Sequence, residues 1–210
     1  MKYFIQLIFV SLLTTIVGGR SELESAAESE SQIWSAVEIR SADLARNLTG
    51  WSSVEKDVVM HTNLVRLYPK KYLDIVVLPW EMPDRYRPLD KSTSYYRGLI
   101  TELARDQPMP ALVPSDRLKD SAGCFAKAQG KKGTTGHNRS STGCPDLNTA
   151  ENCQYGMDSG EDIIVRLLID EGVPSLGHRK NLLNAKYRKT GVGHAAHKKY
   201  GKVTVQELIW

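Results

Sequence analysis

Residues 189–210, KTGVGHAAHKKYGKVTVQELIW, leave little freedom in how this chain ends. Two extended-favouring runs flank Lys198-Lys199-Tyr200-Gly201, the spelling of a β-hairpin. In the second run Val203, Val205 and Glu207 alternate, so a carboxylate shares the strand face of two valines. Upstream, the apolar period is helical. Ser52-Ser53-Val54-Glu55 spells a capping box, and Val54, Val58, His61 and Val65 then follow on one helix face until Pro69. YYRGLITELARDQP reads as a second helix closed by Pro108 and Pro110. SDRLKDSAGCFAKAQGKKG reads as a third, lined by Leu118, Ala122, Phe125 and Ala126 and ending at Gly130. A further helix starts at Ser159 and carries Ile163, Ile164, Leu167 and Leu168. Helices first and a small antiparallel sheet last define an α+β fold.

The start of the chain is different in kind. MKYFIQLIFVSLLTTIVGG has Lys2, then an uncharged apolar run ending in small residues, the pattern of a secretory signal peptide over residues 1–19. The apolar run is short for a membrane span, which takes about 20 residues, so no span is expected in the mature chain. An uncleaved anchor is the competing reading. Residues 20–51 open with Arg20 and SELESAAESESQ, too poor in apolar side chains for a core, and read as a flexible linker. IWSAVEIRSADLARNL within that segment spells a short helix with no evident packing partner. The folded domain is then expected over residues 52–210.

Charge adds little. The net charge is +4, yet no acid falls between Gly172 and Gln206, where eight Lys and Arg residues lie. A run of this kind ordinarily keeps a face solvated, and with no nucleic-acid-binding motif beside it a nucleic-acid partner is not expected. In an oxidising compartment two of the three cysteines can pair. Cys144 and Cys153 are close in sequence and form the expected disulfide, leaving Cys124 as a free thiol in a helix. No CxxC spacing is present, so a zinc–cysteine site is not expected.

The residues with chemistry come from four places. In IDEGVPSLGHRKNLLN, a helix meets two acids, bends at Gly172 and Pro174, and restarts at Gly177-His178-Arg179. Placed on a helical wheel, Glu171 centres on the apolar stripe of Ile163, Ile164, Leu167 and Leu168, and Asp170 falls on its edge. A carboxylate pointing inward needs a partner. The loop GHNRSSTGCPDLNTAENCQYG offers His137 and Glu151. Imidazole and carboxylate suit zinc or another divalent ion, and they equally suit acid–base work on water. Taken singly, each histidine is accounted for as a hydrogen-bonded structural residue.

Five segments, TNLVRLYPKKY, GKKGTTGH, AENCQYG, LLIDEGVPSLGHRKNLLN and TGVGHAAHKKYGKVTVQELIW, together resemble the CAP superfamily in the right order. This is the secreted, SCP-like family of cysteine-rich secretory, antigen 5 and pathogenesis-related proteins. The wording is nearest a divergent branch spelled LLIDDGVPxRGHR, with Leu176 where that branch often has Arg. The Trp-x-x-Glu helix ending and GHxTQ tail of better-known members are missing. The resemblance implies an α-β-α sandwich with a cleft where two histidines and two acids converge. It maps them to His137, Glu151 and His178, with Glu171 from the wheel or, alternatively, Asp170. His137 and His178 would be the metal ligands. It also implies a secreted binding module with an extracellular ligand such as a lipid or sterol, more readily than an enzyme. A hydrolase using the His/Glu cleft, with a nucleophile such as Ser140, and a structural protein with a polar core are the alternatives.

Overall fold

The computed structural model describes residues 34–210, and Ser35–Trp210 form one compact unit. The expected signal peptide and the first part of the expected linker lie outside the described residues. Among the described residues no helix is long and apolar enough to cross a membrane.

The folded unit begins well before Ser52. Helix α1 (Ala36–Ala42) has its own capping box, in which Ser35 Oγ accepts from the Glu38 N–H and the Glu38 carboxylate accepts from the Ser35 N–H. It buries Ala42, with Ala45 just beyond, and Glu38 pairs with Lys71. Trp51 is buried and donates its indole N–H to Asp116 at 2.8 Å. Residues 35–51 are therefore part of the domain and not a flexible linker. Their anchors are small alanines and one tryptophan, which a count of large apolar residues passes over.

Helix α2 (Ser53–Leu67) starts at the expected capping box on Ser52 and buries Val58, His61 and Val65. Pro69 does not simply stop it. Proline lacks the N–H that a first helical turn leaves unbonded anyway, so Pro69 opens α3 (Pro69–Tyr72), which widens into a π turn over Leu73–Val77. Arg66 is fully buried in α2 and donates to the carbonyls of Pro110, Leu182, Asn184 and Tyr187. Burial, reinforced by nearby Arg188, lowers its pKa to about 10. Helix α4 (Ser94–Leu103) follows, then the two-residue strand β1 (Val113–Pro114) and the long helix α5 (Asp116–Lys132). That helix runs past Gly130 and ends at Gly133, which takes the left-handed conformation that closes a helix. Gly130 instead lies where helix and hairpin meet, leaving no room for a side chain beneath the Ala196 carbonyl.

Strand β2 (Ala150–Tyr155) leads into α6 (Gly160–Ile169) and the short α7 (Gly177–Leu182). The hairpin β3 (Lys189–His197) and β4 (Gly201–Ile209) completes a sheet of order β1-β3-β4-β2. Only β1 pairs in parallel. Both sheet faces are covered. On one, Cys153, Val203 and Val205 pack against Ala122, Phe125 and Ala126 of α5. Strand β3 approaches that helix so closely that a Cβ on Gly193 would overlap the α5 backbone at Ala122 and Gly123. The other face is largely polar, and most of its side chains are paired, although the buried His194 Nε2 has no partner among the described residues. Asn152 donates to Gln206 at 3.2 Å, Gln206 donates to Thr62 of α2 at 3.0 Å, and Asn181 of α7 donates to Asn152 at 2.9 Å. This line of amides fixes α7 against β2, and so fixes where His178 stands relative to Glu151. The architecture is the expected α+β sandwich.

Candidate functional site

The bend after α6 is built by one acid. Helix α6 ends at Ile169, and Asp170 turns left-handed at φ 56°, a conformation that Asp tolerates better than most residues. Its side chain then faces the start of α7. Oδ2 accepts the backbone N–H groups of His178 at 3.0 Å and Arg179 at 3.3 Å, while Oδ1 bonds His178 Nδ1 at 2.7 Å. A carboxylate here also complements the positive end of that helix. Arg179 holds the bend from behind. Almost fully buried, it donates to the Leu168, Ile169 and Tyr95 carbonyls, capping the end of α6, and pairs with Glu102.

Glu171 does not meet His178. It turns outward to Arg166 at 3.4 Å. The helical wheel fails because it assumes an unbroken helix through position 171, and the left-handed residue at 170 redirects every side chain after it. The alternative, Asp170, is the acid that meets His178, and its side chain is 1% exposed.

The second half of the site comes from the loop between α5 and β2. His137 Nδ1 lies 2.8 Å from Glu151 Oε1. Glu151 in β2 stands opposite Glu207 in β4, on the same face. Two carboxylates facing one another across a ladder repel, and Arg139 resolves this. Its guanidinium bonds Glu151 Oε2 and Glu207 Oε1, donates to the Pro145 carbonyl at 2.9 Å, and lies over the Phe125 ring at 4.2 Å. Ser121 donates to Glu207 at 2.8 Å. Glu207 Oε2 is buried and without a partner among the described residues. Burial pushes the Glu207 carboxyl above the usual range, while Ser121 and Arg139 pull it back. Sequence reasoning gave Arg139 no role. The signal was there: a glutamate on a valine face requires a cation, and the GHNRSS loop carries one.

The two halves converge. The His137 and His178 rings are 6.2 Å apart, centre to centre, and tilted by 41°. Each ring has its Nδ1 on a carboxylate, so Nε2 of each is the nitrogen left for a ligand. Carboxylates orient metal-binding imidazoles in this way. Two imidazoles sharing a tetrahedral ion at about 2.0–2.1 Å hold their centres roughly 5 Å apart, about 1 Å less than the separation here. The hydrogen bond that His137 donates to Glu151 raises the His137 pKa, against the lowering effect of burial. Ser140 Oγ bonds Asn138 Oδ1 at 2.6 Å, not an imidazole.

The cysteines differ from expectation. Cys124 of α5 and Cys144 form the disulfide, with Cα atoms 5.7 Å apart, and Cys153 is a buried free thiol. Nearness in sequence misled here. Cys153 is committed to the ladder of β2, and its Sγ points between the Gly136 carbonyl, His137 and Glu151. The loop folds back over α5 and delivers Cys144 to Cys124. Burial, and Glu151 after it, push the Cys153 thiol well above its usual range.

A cavity of about 440 Å³ is lined in part by Met82, Tyr86, Met157, Arg166 and Glu171, and by none of His137, Glu151, Asp170 and His178. A sequence family described as CAP, the cysteine-rich secretory protein family, matches residues 82–208. No curated protein matches the chain. A solved structure from Bacillus anthracis strain Ames, an extracellular protein containing an SCP domain, is similar at 20% identity and a TM-score of 0.38. The similarity covers 49% of this chain and 35% of that one, so this chain spans about a third of that protein's length.

Proposed function

The chain belongs to the CAP family of cysteine-rich secretory proteins, and we propose that it is a secreted binding module whose cleft holds a divalent metal ion between His137 and His178. One observation carries the proposal: two imidazoles from separate elements have ring centres 6.2 Å apart, each oriented through Nδ1 by its own carboxylate, Glu151 or Asp170. A donor set of two nitrogens with carboxylates behind them suits zinc or a similar ion. The ion, when bound, would supply a Lewis-acidic point of attachment for an oxygen donor of a ligand. The chain's own residues do the positioning. Asp170 and Arg179 set the α7 terminus, and Arg139 holds Glu151 behind His137. The extracellular ligand, of lipid or sterol type, would occupy the cavity where Met82, Tyr86 and Met157 offer apolar contact. Secretion accords with the apolar N-terminal run and with a disulfide, which persists in oxidising compartments.

The test is zinc titration by calorimetry into the full chain and into His178→Ala. The expected result is one ion per chain with affinity reduced at least tenfold in the variant. Equal affinity in both, or no binding in either, discards the reading and leaves the histidines as hydrogen-bonded scaffold.

A further inference from the structure

His137 offers two nitrogens, and the inner one has company that the cleft reading does not use. Its Nδ1 lies 3.7 Å from Cys153 Sγ, and Cys153 Sγ lies 3.6 Å from Glu151 Oε1. One nitrogen, one oxygen and one sulfur thus lie within 4.8 Å of one another. We propose that His137 Nδ1, Glu151 and Cys153 form a distinct thiolate-bearing metal site for a strongly thiophilic ion such as cadmium or copper(I).

The geometry is that of a tetrahedral face. Metal–sulfur bonds of about 2.3 Å and metal–nitrogen or metal–oxygen bonds of about 2.0–2.2 Å put neighbouring ligand atoms roughly 3.4–3.6 Å apart. The two edges to sulfur already have that length. The third, from His137 Nδ1 to Glu151 Oε1, is 2.8 Å because a hydrogen bond closes it. Binding needs that edge to open by about 0.6 Å, which happens as the proton leaves Nδ1. The Cys153 thiol also releases its proton to solvent, and the thiolate binds. Glu151 remains a one-oxygen ligand, since Arg139 occupies Oε2. The fourth position faces an open cavity of about 350 Å³ lined by His137, Arg139, Asp146, Asn148, Thr149 and Glu151. Access runs past the His137 side chain, which is 55% exposed.

The two sites compete. A neutral imidazole has one free nitrogen lone pair. With Nδ1 on the inner ion, His137 carries its proton on Nε2 and cannot also serve the His178 side. A thiophilic ion selects the inner set, and an ion with no preference for sulfur selects the outer pair. The inner site does not depend on His178, which separates it from the proposed function.

The probe is cadmium, titrated into the full chain without added reductant. Cys124 and Cys144 are joined, so Cys153 is the sole thiol of the chain. The expected result is a thiolate-to-cadmium charge-transfer absorption that saturates at one ion per chain. It should persist in His178→Ala and vanish in Cys153→Ser, with affinity at least tenfold weaker. The wild-type band needs no variant to be interpretable. Its absence overturns the inner site, as does its loss in His178→Ala. If zinc binding collapses in His178→Ala while wild type shows no cadmium band, the cleft reading stands and the inner site falls. If the band survives His178→Ala and zinc affinity is unchanged in that variant, the inner site stands and the cleft reading falls.

Discussion

Replacing Arg139 with methionine isolates the electrostatic design of the site. Methionine keeps an apolar stem over Phe125 and removes the cation. Glu151 and Glu207 are then left opposite each other on one sheet face, and Glu207, at 1% side-chain exposure, loses its only cationic partner among the described residues. The Arg139 side chain is itself only 9% exposed, so water cannot readily take its place. Breaking a buried pair in this way costs about 3–5 kcal/mol. For a domain of this size that is roughly 6–20 °C in Tm. The pH dependence carries the sharper signature. Glu207 has a raised pKa in the folded state, chiefly through burial. Between its unfolded and folded pKa values the native protein binds more protons than the unfolded chain, so stability falls as pH rises through that window. Without Arg139 the window extends upward. The loss in Arg139→Met is therefore larger at neutral pH and shrinks as pH falls and Glu207 takes up a proton. Glu207→Gln in the same background should recover part of the loss at pH 7. Urea unfolding at pH 7 and at successively lower pH, comparing midpoints at constant slope, measures it. A loss below about 1 kcal/mol at pH 7, or one that does not shrink as pH falls, would refute the ion-triad argument.

Zinc affinity should fall with acid beginning above the usual histidine value of about 6.5, because Glu151 raises His137 and binding requires neutral imidazole; calorimetry at stepped pH reads the onset. Arg179→Met should cost about 3 kcal/mol or more, since it strips buried carbonyls at the end of α6 of a charged donor. The same variant should weaken zinc binding by loosening Asp170 and His178, and a stable variant with normal zinc affinity would contradict that link. Gly193→Ala should cost about 1–3 kcal/mol, because its Cβ meets helix backbone that has to move; thermal unfolding decides. Unreduced peptide mapping should recover Cys124 joined to Cys144, and Cys144→Ser should lose about 3 kcal/mol by loop-closure entropy for a 20-residue separation.

The sequence by itself determined what is local. Ser52 and Glu55 cap a helix wherever that helix packs, the runs around Lys198–Gly201 pair because the turn between them is short, and the order of elements makes the fold α+β. It also carried the motifs that mark His137, Glu151 and His178. Tertiary structure decided whatever depends on the direction of a side chain after an irregular residue, or on a register between distant segments. Asp170 rather than Glu171 reaches His178 because one left-handed residue ends the helical period. Cys124 rather than Cys153 takes Cys144 because a loop folds back over α5 while β2 holds Cys153 in its ladder. Glu151 and Glu207 meet only through the pairing of β2 with β4, and only then does Arg139, 12 residues from one and 68 from the other, become the cation that the buried face requires. A period along the chain encodes burial one element at a time. A shared charge between three segments exists only once all three are packed.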